Sequence, residues 1–376
     1  MVAKSSPLEN LGGLIKMMSD LYRGKRVLVT GHTGFKGSWL CQWLLQMEAN
    51  VCGFSRDIPT KPSHFEILEL DKKIQHHLGD VCDLEHLSRV VSDFKPEIVF
   101  HLAAQPLVRL SYDNPKETFD TNVGGTVNVL ENMRHCQSVQ VAVLVASDKC
   151  YENLLVADGY KETDRLGGSD PYSASKACAE IVFQAYQRSF FSRQNRLRAA
   201  SVRAGNVIGG GDWALDRIVP DCMQAWGAGQ TVKIRNPASI RPWQHVLEPV
   251  GGYLLLGAHL WRSNSEANGE SFNFGPENHE AHSVETLLNQ MKNEWPKATW
   301  HVEKNPENEL KKEAGWLRLN CEKVHKILDW SARLSFEESV QWTTRWYRAY
   351  YEKNEDVASL TIKQITDYGS KMNFLR

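Results

Sequence analysis

Residues 27–37 admit few folds. An apolar run, Val27-Leu28-Val29, leads into Thr30-Gly31-His32-Thr33-Gly34-Phe35-Lys36-Gly37, and the apolar residues that follow (Trp39, Leu40, Trp43, Leu44, Met47) recur at helical spacing. The pattern predicts a strand, a glycine turn and a helix. Such a turn lets the backbone approach a pyrophosphate closely and turns helix N-terminal amides toward its charge. Alone, a glycine triplet after a strand is also an ordinary tight turn. A second segment, Tyr172-Ser173-Ala174-Ser175-Lys176, narrows the choice, because Tyr172 and Lys176 are four apart and share one face of a helix. An ammonium beside a phenol favours the phenolate, so Tyr172 is expected to act as a base nearer neutral pH. Both segments, in this order and with strands between them, point to redox chemistry on a bound dinucleotide.

Apolar runs at 27–30, 51–54, 98–102, 141–146 and 199–202 alternate with helix-length segments. That is the pattern of an α/β fold, a Rossmann-type doubly wound parallel sheet with helices on both faces. Helices are expected over 84–94, stopped by Lys95-Pro96, over 116–133, interrupted by Gly124-Gly125, and from near Pro171. At 376 residues the chain exceeds one ordinary domain, so a smaller C-terminal lobe is expected. We divide it into an N-terminal extension (1–22), a dinucleotide-binding domain with the catalytic helix (23–203), a mainly substrate-binding lobe with some segments returning to the sheet (204–353), and a polar, weakly patterned tail (354–376). Glycine, proline and tryptophan become frequent after Arg203, and those tryptophans are expected in the core.

A net charge of -1 without a run of Lys or Arg predicts neither a nucleic-acid nor a membrane partner. The cysteines (41, 52, 82, 136, 150, 178, 222 and 321) form no Cys-x-x-Cys pair. No metal site and no disulfide framework is therefore expected, and reduced thiols in a cytoplasm are. The apolar patch at 11–18 is short, broken by glycine and carries Lys16, so it reads as neither a signal peptide nor a membrane span.

Asp80-Val81 lies where a carboxylate accepts a hydrogen bond from an adenine amino group, although Asp80 serves equally well as a helix cap. Ala103-Ala104 follow the 98–102 run, and small residues there let a cofactor lie across strand ends. Ser55 and Arg56 stand where an acidic residue would bind the adenosine ribose; Arg56 suits a 2′-phosphate equally, which leaves NAD against NADP open. Ser147-Asp148-Lys149 directly follows the 141–146 run. A simple alcohol oxidation needs only the hydroxyl of Ser147 beside the Tyr/Lys pair. Loss of water from a keto sugar needs also one group to remove the proton alpha to the carbonyl and another to protonate the leaving hydroxyl, which Asp148 and Lys149 suit. The bland alternative is a surface ion pair worth about 0–1 kcal/mol.

The stretches 29–39, 101–108, 147–153, 166–173, 203–213 and 241–246, among them His101-Leu102-Ala103-Ala104-Gln105-Pro106-Leu107-Val108 and Arg241-Pro242-Trp243-Gln244-His245-Val246, carry a resemblance. From about Arg23 to Tyr351 the chain resembles the nucleotide-sugar dehydratase branch of the extended short-chain dehydrogenases. Lys149 stands where the dTDP-glucose enzymes have Glu, as in those acting on CDP-glucose. The resemblance implies bound NAD, with NADP the lesser alternative, contacted by Gly31, Thr33, Gly34, Phe35, Lys36, Gly37, Arg56, Asp80, Val81, Ala103, Ala104, Gln105, Tyr172 and Lys176. It implies catalysis by Ser147, Asp148, Lys149, Tyr172 and Lys176, contacts to CDP-glucose from Asn206, Arg217, Arg241 and His245, no metal, and a homodimer or homotetramer. Arg217 and Arg241 are equally readable as structural salt-bridge arginines. An epimerase or reductase would share the glycine turn and the Tyr/Lys pair without needing Asp148 and Lys149, and a non-catalytic dinucleotide-binding regulator would need none of them.

Overall fold

The computed structural model describes residues 13–372 apart from 155, 157, 195, 263–264, 277–280 and 304–316. The first twelve residues of the extension and the last four of the tail lie outside the described residues. Seven parallel strands form the central sheet: β1 (Arg26–Thr30), β2 (Asn50–Ser55), β3 (Gln75–Leu78), β4 (Ile98–His101), β5 (Val141–Val145), β6 (Arg198–Arg203) and β11 (Ser271–Asn273). Their order is β11-β6-β5-β4-β1-β2-β3. The winding reverses between β1 and β4, and open sheets of this kind bind ligands beside such a reversal, past the carboxyl ends of the strands. β3 has no apolar run because it is the sheet edge: Gln75 and Leu78 are exposed, His76 and His77 half-buried.

Helices cover both faces, which is why the inner strands read as continuous apolar runs. On one face the helices Gly13–Tyr22, Phe35–Gln46, Leu247–Trp261 and Val357–Met372 bury Ile15, Trp39, Trp43, Leu254 and Ile365. On the other, Leu84–Phe94, Gly125–His135 and Pro171–Tyr186 bury Leu87, Leu130 and Phe183. Each such side chain contributes roughly 1.5–3 kcal/mol of apolar burial. A separate core around Trp213, Trp226, Trp295 and Trp346 forms the second lobe, so these tryptophans pack inside it. Three short pairs frame that lobe: β7 (Val207–Ile208) with β10 (Gln244–His245), β8 (Val232–Ile234) with β13 (Trp300–Val302), and β9 (Ile240–Arg241) with β12 (His282–Ser283).

Two expectations need correction. Gly124-Gly125 does not interrupt its helix: the backbone passes through Asp120–Gly124 as a wide π-type turn and continues as Gly125–His135. The glycine is there for contact, since a Cβ on Gly125 would stand 2.6 Å from Val81 Cγ2. The polar, weakly patterned segment from 354 onward is patterned after all. Val357–Met372 is a helix with Leu360, Ile365, Tyr368 and Met372 buried. Its polar residues disguised it, and the core satisfies them. Thr361 accepts from Trp346 Nε1 at 2.9 Å, Gln364 donates to the Trp342 carbonyl at 3.0 Å, and the Tyr368 hydroxyl donates to Glu248 at 2.6 Å.

Candidate active site

The carboxyl ends of the inner strands and the second lobe enclose a cavity of about 1260 Å³. Its floor is the glycine turn. Gly31 sits at φ +74°, and a Cβ there would come within 2.7 Å of the Ala103 nitrogen. A Cβ on Gly37 would overlap the Gly31 carbonyl. Strand, turn and helix thus fit together only without those side chains, and the bare backbone left behind suits a pyrophosphate. Gly31, Thr33, Gly34, Phe35, Lys36 and Gly37 all line the cavity. Thr33 is tied back by its hydroxyl to the Asp57 carbonyl at 2.6 Å. Burial and the charge of Arg217 push the Lys36 ammonium down to about 8, against the pull of Asp148.

Asp80, Val81, Ala103, Ala104 and Gln105 line the same cavity. The Gln105 amide is spent on its own loop: Oε1 accepts from the Leu107 nitrogen at 2.6 Å, and Nε2 donates to Thr118 at 2.9 Å. Arg56 reaches the cavity edge but is paired with Glu117 at 2.6 Å and Asp57 at 3.1 Å. Two carboxylates already match its charge, which disfavours its use for a 2′-phosphate.

The reactive cluster sits where β5 ends. Ser147 caps a short turn, its Oγ accepting from the Lys149 nitrogen at 3.3 Å and donating to Asp148 Oδ1 at 3.0 Å. Lys149 Nζ lies 3.7 Å from the same oxygen, with side chains 19% and 3% exposed. Such a pair is inside the cavity wall, so the surface-pair reading does not describe it. Tyr172 and Lys176 enter from the helix Pro171–Tyr186, which starts cleanly because Pro171 holds its first position and Asp170 accepts from the Ser173 nitrogen at 2.9 Å. Tyr172 lines the same cavity as Ser147, whose hydroxyl acts on the phenol.

Electrostatics at the phenol differ from the expectation. Burial pushes the Tyr172 phenol up; the nearby Ser147 hydroxyl, then Lys149 and Arg217, pull it down. Lys176 is itself buried and pushed down to about 8. In a site this desolvated a neighbouring ammonium does not by itself yield a phenolate, because each charge pays its own burial cost. Behind the pair, Glu180, one further turn along the helix, meets Arg203 of β6 at 2.8 Å with both side chains fully buried. Removing one partner of such a pair costs about 3–5 kcal/mol, so this contact fixes the helix against the sheet.

Of the residues expected to meet substrate, Asn206, Arg217 and Arg241 line the cavity. Asn206 adopts φ +53°, a left-handed conformation that Asn tolerates. Arg217 is held by Asp212 at 2.8 Å. His245 is a correction. It is fully buried in β10, edge-on to Trp39 and Trp342, and its burial drives the imidazole down to about 3. Trp243, just before β10, touches the cavity, whereas His245 does not line it.

Sequence reasoning missed the residues that hold others in place. Asn122 donates to Ser175 at 2.8 Å and accepts from the Gln105 nitrogen at 2.8 Å, joining the helix Pro171–Tyr186 to the loop after β4. Asp212 lay inside a recognised motif, but its partner could not be read from it. Gly205 is a further case: a Cβ there would overlap the Asp148 carboxylate. Gly205→Ala is therefore expected to displace Asp148 and lower kcat on the order of 10²-fold, with the melting temperature nearly unchanged. Steady-state kinetics beside a thermal melt check this.

The sequence model of the GDP-mannose 4,6 dehydratase family matches residues 28–343. The chain is 46% identical over 358 residues to the CDP-glucose 4,6-dehydratase of Salmonella typhimurium, covering 93% of this chain and 98% of that protein. Among solved structures it is similar to the epimerase Mth375 of Methanothermobacter thermautotrophicus (TM-score 0.76, 25% identity, 90% of this chain and 96% of that one). It is similar also to the dTDP-glucose 4,6-dehydratase of Bacillus anthracis in complex with NAD (TM-score 0.71, 22% identity, 90% and 100% covered), a likeness of fold.

Proposed function

The chain belongs to the GDP-mannose 4,6 dehydratase family, and from that premise we propose that it is an NAD-dependent hydro-lyase converting CDP-D-glucose to CDP-4-keto-6-deoxy-D-glucose. The observation that carries this reading is Asp148 and Lys149 beside Ser147 and Tyr172 in one cavity. An epimerase needs the tyrosine and the lysine of the helix, but has no use for a second acid–base pair.

The glycine cradle, Asp80 and the small Ala103-Ala104 step suit NAD, and the paired Arg56 disfavours NADP. When bound, NAD supplies a hydride acceptor that is returned to its oxidised form within each turnover. Tyr172 takes the proton of the sugar 4-hydroxyl while Ser147 holds that oxygen. Lys176 stabilises the phenolate electrostatically. Once a ketone stands at C4 the C5 proton is acidic, and Lys149 removes it. Asp148 protonates the departing C6 hydroxyl, the two roles being exchangeable within so close a pair. With the proton of the pair on the Asp148 carboxyl the two act as written, and with it on the Lys149 ammonium they act in the exchanged sense, Asp148 taking the C5 proton and Lys149 giving one to the leaving hydroxyl.

Arg217, Arg241 and Asn206 receive the diphosphate. The reading carries with it a homodimer or homotetramer, expected of the family, in a cytoplasm that keeps the eight free cysteines reduced. Among the described residues no helix is long and apolar enough to cross a membrane.

Incubation with CDP-glucose is expected to yield the alkali-induced absorbance of a 4-keto sugar with no external oxidant. Free NADH accumulating in step with product would instead identify a net dehydrogenase.

A further inference from the structure

Directly after the turn Asp148–Cys150 the chain leaves the sheet and pairs with the 165–167 segment through one bridge, Tyr151 with Leu166. What roots it in the core is the Tyr151 ring. The ring is buried, stacks on Tyr160 with centroids 5.0 Å apart and planes 22° from parallel, and lies in one apolar cluster with Ala177 of the helix Pro171–Tyr186. Its hydroxyl is clasped on two sides: it accepts from Arg203 Nη1 at 2.7 Å and donates to Asn273 Oδ1 at 2.7 Å. The sense of both bonds is fixed. A guanidinium only donates, and the Asn273 amide nitrogen faces the carbonyls of Tyr160 and Asn320 at 2.8 and 3.1 Å, which leaves its oxygen as the acceptor. A phenol held in this way stays neutral, and burial pushes its ionisation well up besides. Tyr151 therefore holds position and moves no proton.

The same guanidinium holds the other half of the site. Arg203 Nε and Nη2 donate to the two oxygens of Glu180 at 3.0 and 2.8 Å, and Glu180 stands one helical turn beyond Lys176 and two beyond Tyr172. Ser201 of β6 and Ser271 of β11 donate to the same carboxylate at 2.8 and 3.1 Å, so it is pinned to the sheet from several sides. One planar, rigid group thus spans two elements. Its Glu180 edge faces the helix that carries Tyr172 and Lys176, and its Nη1 faces the residue that ends the Asp148–Lys149 turn.

We propose that Tyr151 is a positioning residue for the loss of water, its hydroxyl fixing, through Arg203, the register of the Asp148–Lys149 pair against Tyr172 and Lys176. This rests on the dehydratase reading above, in which one bound sugar is worked on twice, at C4 from the helix and then at C5 and C6 from the turn. A misplacement of about 1 Å between a reacting group and its target costs on the order of 10²-fold. Groups on two elements meet that tolerance only when something rigid joins the elements. The demand falls on the second step. Tyr172 and Lys176 ride on one helix, and Ser147 follows Ala146, whose nitrogen is bonded to the Val202 carbonyl at 2.8 Å; Asp148 and Lys149 lie beyond that last sheet bond and lean on Tyr151.

The test is Tyr151→Phe in the NAD-loaded protein, which keeps the stacked ring, leaves the Arg203–Glu180 pair whole and removes only the clasped hydroxyl. In a single turnover of CDP-glucose followed at the nicotinamide absorbance, the early rise is expected at the wild-type rate and the decay on the order of ten- to a hundredfold slower. Asn273→Leu removes the other clasp, is expected to slow the decay in the same sense, and keeps the test open if the first variant folds poorly. The double variant Tyr151→Phe/Lys149→Met asks whether the hydroxyl works through the pair. Its residual rate of 4-keto sugar formation is expected to match that of Lys149→Met alone, because residues acting as one unit do not add. Effects that multiply in the double variant overturn the proposal, and so does a rise and decay slowed together, the mark of a merely structural role. Wild-type decay in both single variants, with the wild type turning over, removes Tyr151 and leaves the dehydratase standing. A wild type that forms no 4-keto sugar from CDP-glucose overturns the dehydratase reading and this one with it.

Discussion

Replacing Tyr172 by Phe is expected to lower turnover of CDP-glucose by about 10²–10⁴-fold, the usual contribution of a positioned general base. Affinity for the nucleotide sugar should stay nearly unchanged, since charge at Arg217 and Arg241 and the wall beyond them are untouched. The hydroxyl removed is the one under the influence of Ser147, Lys149 and Arg217. Phe fills the same volume, so the buried ring keeps its packing and the helix start its cap. A rapid-mixing trace at the nicotinamide absorbance should show no early rise. Wild-type turnover by this variant would remove Tyr172 from the mechanism.

Asp148→Asn and Lys149→Met should behave differently from Tyr172→Phe, and that contrast separates elimination from oxidation. Each is expected to leave the oxidation at C4 in place and to slow loss of water by about 10²-fold or more. The absorbance at the nicotinamide wavelength should then rise in a single turnover and fail to decay. Both side chains are largely enclosed, and Asp148 is also held by the Ser147 hydroxyl, so Asn at 148 keeps the packing and part of the hydrogen bonding while losing the acid. A surface ion pair predicts normal decay and a stability change of no more than about 1 kcal/mol. Normal decay in both variants would refute the assignment of the elimination step.

The chemistry-bearing strands and turns were the legible part, because they obey local rules. A buried parallel strand is a run of apolar residues, a pyrophosphate turn needs bare backbone, and a Tyr/Lys pair needs one helical turn. What stayed hidden depends on partners distant in sequence. His245 shares a motif with Arg241, but whether it faces ligand or core is settled by Trp39 and Trp342. β3 carries too little apolar surface to announce itself. The helix Val357–Met372 looks polar until Trp346, Trp342 and Glu248 are seen to satisfy Thr361, Gln364 and Tyr368. The phenol of Tyr172 went astray for a related reason: sequence shows which charges are near, and burial decides what they cost.

The helices Gly13–Tyr22 and Val357–Met372 touch, and both lie on the sheet face that Leu247–Trp261 covers. Tyr22 donates to the Leu254 carbonyl at 2.8 Å, and a Cβ on Gly251 would stand 3.0 Å from Tyr368 and 3.1 Å from Trp43. Two helices far apart in the chain therefore complete one wall together. At about 5–20 residues per second, the first helix waits on the order of tens of seconds for its neighbour to leave the ribosome. Throughout that interval Trp43 lacks the cover of Tyr368, an unsealed greasy surface that makes the growing polypeptide a natural client for holding chaperones. Loss of Val357–Met372 would accordingly show itself in the cell as insolubility, although every residue that lines the cavity precedes it in the chain.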